Sequence, residues 1–222
     1  MDTNTKKPES AGTGGNKPPV NAPEPPKTVD GKKVAKEIFS WVRVVLFALL
    51  LTILIRRFVI VNAEVPSSSM VSLIDPGDRL IGFRLSYLFS EPKRFDVVIF
   101  WYPVDRSEKF IKRVIGLPGE TVTIRDGEIY IDDSETPLEE DYLPEEWVVK
   151  NDGLIYEVPE DCYFLLGDNR NVSMDARYWA EEAMRVGLTT DPVEAEEYTF
   201  VNKKDILGKA IFKYYPRLEG LS

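Results

Sequence analysis

Hydrophobic positions are most concentrated in one segment near the start of the chain, residues 37–61 (EIFSWVRVVLFALLLTILIRRFVIV). Between Ile38 and Ile55 the single charge is Arg43, whose long side chain can reach the headgroup region of a bilayer. The segment approaches the roughly 20 residues that a helix needs to cross a membrane. The pattern therefore predicts a transmembrane helix over residues 37–58.

Two other interpretations of this segment remain open. A cleavable signal peptide could use Val61-Asn62-Ala63 as its cleavage site, although its basic leader would be long and Arg56-Arg57 interrupts the approach. A buried core helix is the other possibility. The membrane helix is favoured, because basic residues crowd the N-terminal flank and typically stay in the cytoplasm. The preceding Pro- and Lys-rich residues 1–36 are predicted to form a disordered cytoplasmic tail.

After the apolar segment, short runs rich in Val, Ile, Phe and Tyr alternate with Gly, Pro and Asp, a pattern typical of an all-β domain. The predicted strands are Phe58–Val65, Leu80–Leu85, Val97–Tyr102, Phe110–Ile115, Thr121–Ile124, Ile129–Ile131, Tyr163–Leu166 and Ala210–Tyr215. The segment TVTIRDGEIYI predicts a hairpin that turns at Asp126-Gly127. We therefore expect a mainly-β fold, an antiparallel, barrel-like sheet domain over residues 59–222, preceded by one N-terminal transmembrane helix.

Two segments show neither pattern. Glu181–Tyr198 is compatible with a short acidic helix or a loop. Asp132–Asn151 is acidic and irregular, which predicts a solvated excursion from the domain.

Charge is divided unevenly along the chain, which has a net charge of -9. Residues 1–43 hold eight basic and five acidic residues, whereas the remainder holds 20 basic and 32 acidic residues. The break falls at the apolar segment, consistent with a membrane between the two parts. The acidic balance argues against nucleic acid as a partner, because phosphate binding needs a basic face.

Residue types missing from the 222 positions narrow the chemistry. Cys162 is the one cysteine, so neither an internal disulfide nor a cysteine-cluster zinc site can form. The absence of histidine excludes Ser-His-Asp and Cys-His mechanisms. We expect no metal and no cofactor.

Three polar clusters follow the apolar segment, and each also has a purely structural explanation. The serines of Val65–Met70 (VPSSSM) could form a polar turn. The lysine of Phe110–Glu120 (FIKRVIGLPGE) could protect a strand edge. The charges of Gly167–Arg177 (GDNRNVSMDAR) could staple a turn by ion pairs.

The missing histidines favour a catalytic interpretation of the first two clusters. A serine hydroxyl is a weak nucleophile unless a base removes its proton. A lysine can be that base only when neutral, which near pH 8 requires its pKa to fall by two to three units at a cost of roughly 3–4 kcal/mol. Burial among apolar side chains supplies such a change, and Lys112 would share a strand face with Phe110 and Val114.

In their order behind the apolar segment, the three clusters resemble those of the type I signal peptidases, membrane-anchored Ser/Lys proteases that remove signal peptides from exported proteins. The resemblance covers Ile38–Pro216 and is greater to Gram-positive members. It implies that Ser69 is the nucleophile and Lys112 the base. It further implies that the Ser67 hydroxyl helps to form the oxyanion hole and that Ser173 orients the lysine amine.

The resemblance also implies a supporting frame of two ion pairs, Arg113 with Asp168 and Asp175 with Arg177. These pairs would hold the third cluster against the strand that carries the lysine.

The expected substrates are signal-peptide-bearing precursors, cleaved after an Ala-x-Ala pattern at the outer face of the cytoplasmic membrane, so the lipid bilayer is a second partner. Shallow apolar pockets near Val65, Met70 and Ile111 would accept small side chains one and three residues before the cleaved bond.

Five positions depart from the family pattern, none at a nucleophile, base or oxyanion position: Ser72, Leu73, Asn171, Val172 and Ala176. Other classes of function therefore stay open. They are a catalytically inactive membrane-anchored binding protein on the same fold, a self-cleaving repressor-like Ser/Lys protease, and an extracellular scaffold domain.

Overall fold

The computed structural model of the chain describes Met1 and residues 31–71, 73–148 and 153–221. Most of the predicted N-terminal tail, through residue 30, and the departure at Ser72 lie outside the described residues. The chain divides into two units, Met1–Leu46 and Phe47–Ser222.

One long helix precedes the β-strands. Helix α1 spans Gly31–Leu54, and a π-helical turn over Ile55–Val59 continues it. None of the side chains of α1 is buried, which does not fit a core helix. Over its 29 residues, Gly31–Val59, the helix has the length and composition needed to cross a membrane, with a mean hydropathy of 2.5 in its most apolar window. The prediction of an N-terminal apolar helix is confirmed, and the helix begins six residues before the predicted start at residue 37.

The rest of the described chain is mainly antiparallel β-sheet, as predicted. Its strands are β1 Ile60–Glu64, β2 Arg79–Phe83, β3 Val97–Trp101, β4 Lys109–Gly116, β5 Thr121–Arg125, β6 Glu128–Ile131, β7 Leu154–Glu157, β8 Cys162–Leu166, β9 Val201–Asn202, β10 Ile206–Tyr215 and β11 Glu219–Gly220. The large sheet has the order β1-β2-β10-β3-β4-β8-β9, and β11 pairs with β10. All eight predicted strands are present with ends within two residues, except that β10 begins four residues early. The sequence pattern did not indicate β7, β9 or β11.

A second sheet has the order β6-β5-β7 and contains the predicted hairpin. Arg125 pairs with Glu128 across the turn, and Asp126 and Gly127 have φ angles of 53° and 79°. Such positive φ angles define the tight hairpin turn that an Asp-Gly pair favours.

Two apolar clusters pack against the large sheet, one on each side of strand β4. Val114 belongs to the larger cluster, which includes Phe100, Leu165 and Trp179. Ile111 belongs to the smaller cluster, whose members include Met70. Ile111 and Val114 are three positions apart and so point to opposite faces of the strand, as the period of two requires.

Two short helices overlap the acidic segment Glu181–Tyr198, for which the sequence allowed a short helix or a loop. Helix α2 spans Ala176–Arg185, and helix α3 spans Pro192–Glu196.

The prediction of a solvated excursion at Asp132–Asn151 holds for most residues of its described part, 132–148, which are exposed, but a few side chains anchor the segment. These residues contain no helix or strand, yet they pack on the domain. Trp147 is buried, and the carboxylate of Glu140 lies in a buried ion pair. Trp147 and Glu140 anchor the segment, and its acidic composition did not indicate that either side chain would be buried.

Candidate active site

The turn that carries Ser69 follows strand β1 and is fixed by backbone hydrogen bonds. The amide of Val65 donates to the carbonyl of Asp78 (3.0 Å), and the amide of Gly77 donates back to Val65 (2.8 Å). Met70 is fully buried in the smaller apolar cluster. The backbone of the serine is therefore anchored on both sides.

Lys112 lies in the middle of strand β4, opposite Val98 of β3. Its side chain is buried, with 3% of the residue exposed. The Nζ atom donates a hydrogen bond of 2.7 Å to Ser69 Oγ and lies 5.5 Å from the centre of the Phe110 ring. The structure thus brings together the two residues predicted as nucleophile and base, which are 43 positions apart in the sequence.

The surroundings of Lys112 favour its neutral form. Burial lowers the pKa of its amine from 10.5 to about 8, because an ammonium ion loses its hydration in an apolar site. The carboxylates of Asp175 and Asp168 act in the opposite direction, whereas Arg177 lowers the pKa further. Desolvation is the largest effect.

Ser67 lies on the exposed side of the same turn. Its hydroxyl donates a hydrogen bond of 3.2 Å to Ser69 Oγ. The hydroxyl therefore lies within reach of any group that bonds to that oxygen, as an oxyanion donor must.

Ser173 is buried beside this site, but the predicted contact with the lysine amine is not present. Among the described residues its Oγ has no hydrogen-bond partner. It packs closely on Gly167, where an added Cβ would lie 2.2 Å from Ser173 Oγ and 2.6 Å from the carbonyl oxygen of Ser69. The glycine is required because no side chain fits between these two groups.

The loop Gly167–Arg177 is tied to both predicted site residues. The amide of Asn169 donates to the carbonyl of Ser69 (3.0 Å). The Asp168 carboxylate accepts two hydrogen bonds from Arg113, the residue after Lys112, at 2.8 and 2.5 Å. The loop therefore connects the serine turn with strand β4.

The second predicted ion pair closes the loop. Asp175 is fully buried and accepts from Arg177 Nε at 2.7 Å and Nη2 at 2.8 Å. It also accepts from the amide of Gly167 (3.0 Å) and caps helix α2 as its N-cap residue. Because one carboxylate serves the start of the loop and the start of the helix, both ends of the loop are fixed together.

Two residues that contact the loop, Glu140 and Tyr142, were not predicted from the sequence. Glu140 accepts hydrogen bonds of 3.0 and 2.5 Å from the guanidinium group of Arg170. The Tyr142 ring lies 4.0 Å from the guanidinium carbon of Arg113. Both lie in the acidic segment 132–148, and no local pattern in the sequence indicates that they reach the site.

The described positions that depart from the family pattern have different surroundings. The Asn171 amide group donates to Glu145 and to the carbonyl of Glu146, at 2.9 Å each. Val172 is exposed and Ala176 is buried. Leu73 packs at the margin of the smaller apolar cluster.

An open cleft of about 480 Å³ lies at the serine turn and strand β4. Its lining includes Ser69 and Lys112 together with Val65, Met70 and Ile111, the residues predicted to contact substrate. The outer edge of β1 and the first half of β4, on the side away from β3, pair with no other strand among the described residues. The cleft can therefore receive an extended peptide along exposed strand edges.

Metal ligands do not converge in the described part of the chain, which contains no group of three or more Cys, Asp or Glu side chains placed to hold an ion.

A serine oxygen in hydrogen-bond contact with a buried lysine amine, at the edge of a peptide-sized cleft, suits a serine peptidase. The family model described as "Signal peptidase, peptidase S26" matches residues 38–215. The chain therefore belongs to the signal peptidase family S26 and is a serine endopeptidase that acts in signal-peptide cleavage.

Curated relatives agree with this assignment. A signal peptidase I of Bacillus licheniformis is 35% identical over 188 residues, which covers 81% of this chain and 89% of that protein. A signal peptidase I of Leptolyngbya laminosa is 31% identical over 196 residues, 83% of each chain. A crystal structure of a signal peptidase I from Enterococcus faecalis has 31% sequence identity and a TM-score of 0.39, covering 54% of this chain and 97% of that chain.

Proposed function

We propose that the chain cleaves N-terminal signal peptides from exported precursors by a Ser69/Lys112 dyad, after small residues of the Ala-x-Ala type, at the outer face of the cytoplasmic membrane. The observation that carries the proposal is the 2.7 Å contact between Lys112 Nζ and Ser69 Oγ. It is made by an amine whose pKa is lowered by burial to about 8. A substantial fraction of this lysine is therefore neutral near pH 8 and can accept a proton.

The reaction proceeds by acylation and deacylation of the serine. Neutral Lys112 takes the hydroxyl proton as Ser69 Oγ bonds to the scissile carbonyl carbon. The resulting oxyanion is stabilised by the Ser67 hydroxyl and by the backbone N–H of Ser69. When the carbon–nitrogen bond breaks, Lys112 returns the proton to the leaving amine. The neutral lysine then removes a proton from water as the water oxygen bonds to the acyl carbon, and it returns this proton to Ser69 Oγ when the ester bond breaks and the signal peptide leaves.

Substrate binding is supported by the shape of the cleft. The segment before the cleaved bond adds as a strand along the exposed edges of β1 and β4, where backbone hydrogen bonds do not depend on the substrate sequence. Val65, Met70 and Ile111 line the cleft and are themselves buried. We infer that their closely packed side chains leave room only for small groups, which gives the Ala-x-Ala preference.

The orientation in the membrane follows from the apolar helix and its basic N-terminal flank. We propose that the N-terminus is cytoplasmic and that the β-domain is extracytoplasmic. Only ten positions separate Val59, at the end of the helix, from Ser69. This short connection confines the site to the membrane surface, where the cleavage site of a translocated precursor also lies, so that the effective concentration rises.

Cleavage of a model precursor by the full-length protein in detergent tests this function. Ser69→Ala and Lys112→Ala are expected to abolish cleavage, because each removes one half of the dyad. Ser107→Ala and Lys93→Ala are matched controls, since both side chains are exposed and neither lines the cleft, and they should retain activity.

The same assay tests the Ala-x-Ala preference. Replacing the alanine one residue before the cleaved bond by phenylalanine should prevent cleavage by the unmodified enzyme. Unchanged cleavage in Ser69→Ala or Lys112→Ala would refute the dyad and leave the inactive binding protein as the better account.

A further inference from the structure

Residues 138–148, here called the clamp segment, make buried contacts with the loop Gly167–Arg177. The central contact joins Glu140 to Arg170, whose side chains are 6% and 1% exposed. The guanidinium group of Arg170 also donates to the carbonyl of Gly167 (3.0 Å) and to the Tyr142 hydroxyl (3.3 Å). A buried arginine without its carboxylate would be strongly unfavourable, so Glu140 determines where this part of the loop lies.

The clamp segment also reaches the strand that carries the lysine. The Tyr142 hydroxyl donates to Glu140, and the face of its ring lies 4.0 Å from the guanidinium carbon of Arg113. Arg113 follows Lys112 on β4 and pairs with Asp168 of the loop. One tyrosine therefore connects the Glu140–Arg170 pair with the Arg113–Asp168 pair.

The far end of the clamp segment holds the outer part of the loop. The Asn171 side chain donates to Glu145 Oε1 and to the carbonyl of Glu146, and accepts from the amide of Val148 (2.9 Å each). The Trp147 ring packs against Arg170, 5.2 Å from its guanidinium carbon. An aspartate at position 171 could not donate either hydrogen bond and would repel Glu145.

We propose that the clamp segment is a positioning element of the peptidase, in which Glu140, through Arg170, holds the loop Gly167–Arg177 against strand β4. The loop thereby shields the Lys112 amine from water and keeps it in contact with Ser69. This inference rests on the proposed dyad. Glu140 touches neither Ser69 nor Lys112 in the described contacts, so it acts on them through the loop.

The expected consequence follows from the groups around the lysine. The charged groups that act on Lys112 are Asp175, Asp168 and Arg177, and the loop or the start of helix α2 carries all three. Loosening the loop admits water to the amine and weakens the desolvation that favours its neutral form. This effect should move the pH dependence of kcat/KM to higher pH, whereas a contact with a purely structural role would lower the stability of the protein alone.

Glu140→Gln in the full-length enzyme is the test, with Glu139→Gln as the matched control because Glu139 is exposed and neighbours it. The rising limb of kcat/KM against pH should move about one pH unit to higher pH in Glu140→Gln, which reduces kcat/KM at pH 7 about tenfold. The change should appear in kcat more than in KM. Glu140→Asp, which restores the charge, should recover part of the loss, and the control should match the parent enzyme.

Asn171→Asp provides a second variant that does not disturb the buried arginine, and it decides alone if Glu140→Gln fails to fold. Its limb should shift in the same direction, whereas Asn202→Asp on β9 should leave the limb in place. Limbs that stay at the parent position in every folded variant would overturn the inference while leaving the dyad intact. If kcat/KM of the parent enzyme does not rise with pH, or if Lys112→Ala keeps the activity and the same rise, the proposed function is refuted and this inference with it.

Discussion

The buried amine of Lys112 should make the enzyme less stable than it would be without it. Folding lowers the pKa of this group from 10.5 to about 8. Between these two pH values the unfolded chain holds a proton that the folded chain has lost, so the free energy of unfolding rises with pH. Below pH 8 the group therefore costs about 3 kcal/mol of stability.

Lys112→Met removes this cost, because methionine fills a similar volume without a charge. The variant also loses the hydrogen bond to Ser69, which is worth about 1 kcal/mol. The net expectation at pH 6 is a gain of about 2 kcal/mol in the free energy of unfolding, combined with loss of cleavage. Above pH 10.5 the gain should disappear and become a loss of about 1 kcal/mol.

Urea unfolding of the full-length protein in detergent micelles, followed by the fluorescence of the buried Trp147 and Trp179, measures this difference. Lys109→Met is the control, since its lysine is exposed on the same strand and its substitution should leave the pH dependence unchanged. A Lys112→Met variant no more stable than the parent protein at pH 6, or a difference between them that does not decrease as the pH rises, would show that the buried amine carries no such cost.

Two further substitutions test the geometry of the site. Gly167→Ala places a Cβ 2.2 Å from Ser173 Oγ and 2.6 Å from the Ser69 carbonyl oxygen, so kcat/KM measured in the cleavage assay should fall at least tenfold. Gly220→Ala is the control, because nothing lies within 4 Å of the added Cβ, and its activity should match the parent enzyme. Equal activities of the two variants would contradict the close packing at Gly167. Ser67→Ala removes the proposed oxyanion donor, and kcat should fall by about 10² with little change in KM. An unchanged kcat would exclude that role.

The parts of the fold that depend on local pattern were predictable from the sequence. Short runs of β-branched and aromatic residues between Gly, Pro and Asp predicted the strands, and the preference of an Asp-Gly pair for positive φ predicted the turn at Asp126-Gly127. Lys112 stood out because a lysine among apolar neighbours is costly unless it is neutral or paired. Its meeting with Ser69 followed from the family resemblance, since no local rule connects positions 43 apart.

The contacts of the clamp segment were not predictable in the same way. Glu140 lies 30 positions from Arg170, in a stretch whose many acids resemble an ordinary solvated surface. Which of these carboxylates is buried depends on the folded position of a guanidinium group that local patterning does not determine. The Ser173 hydroxyl illustrates the opposite case. The resemblance assigned it to the lysine amine, but in the folded chain it packs against Gly167 and makes no hydrogen bond within the described residues.

The proposed role of Lys112 as an uncharged base can be measured by the pH dependence of kcat/KM for cleavage of a model precursor. We expect kcat/KM to rise with pH with an apparent pKa near 8, because the neutral fraction of the amine increases through that range. A profile that is flat from pH 5 to 10, or a limb near the 10.5 of an ordinary lysine, would contradict it.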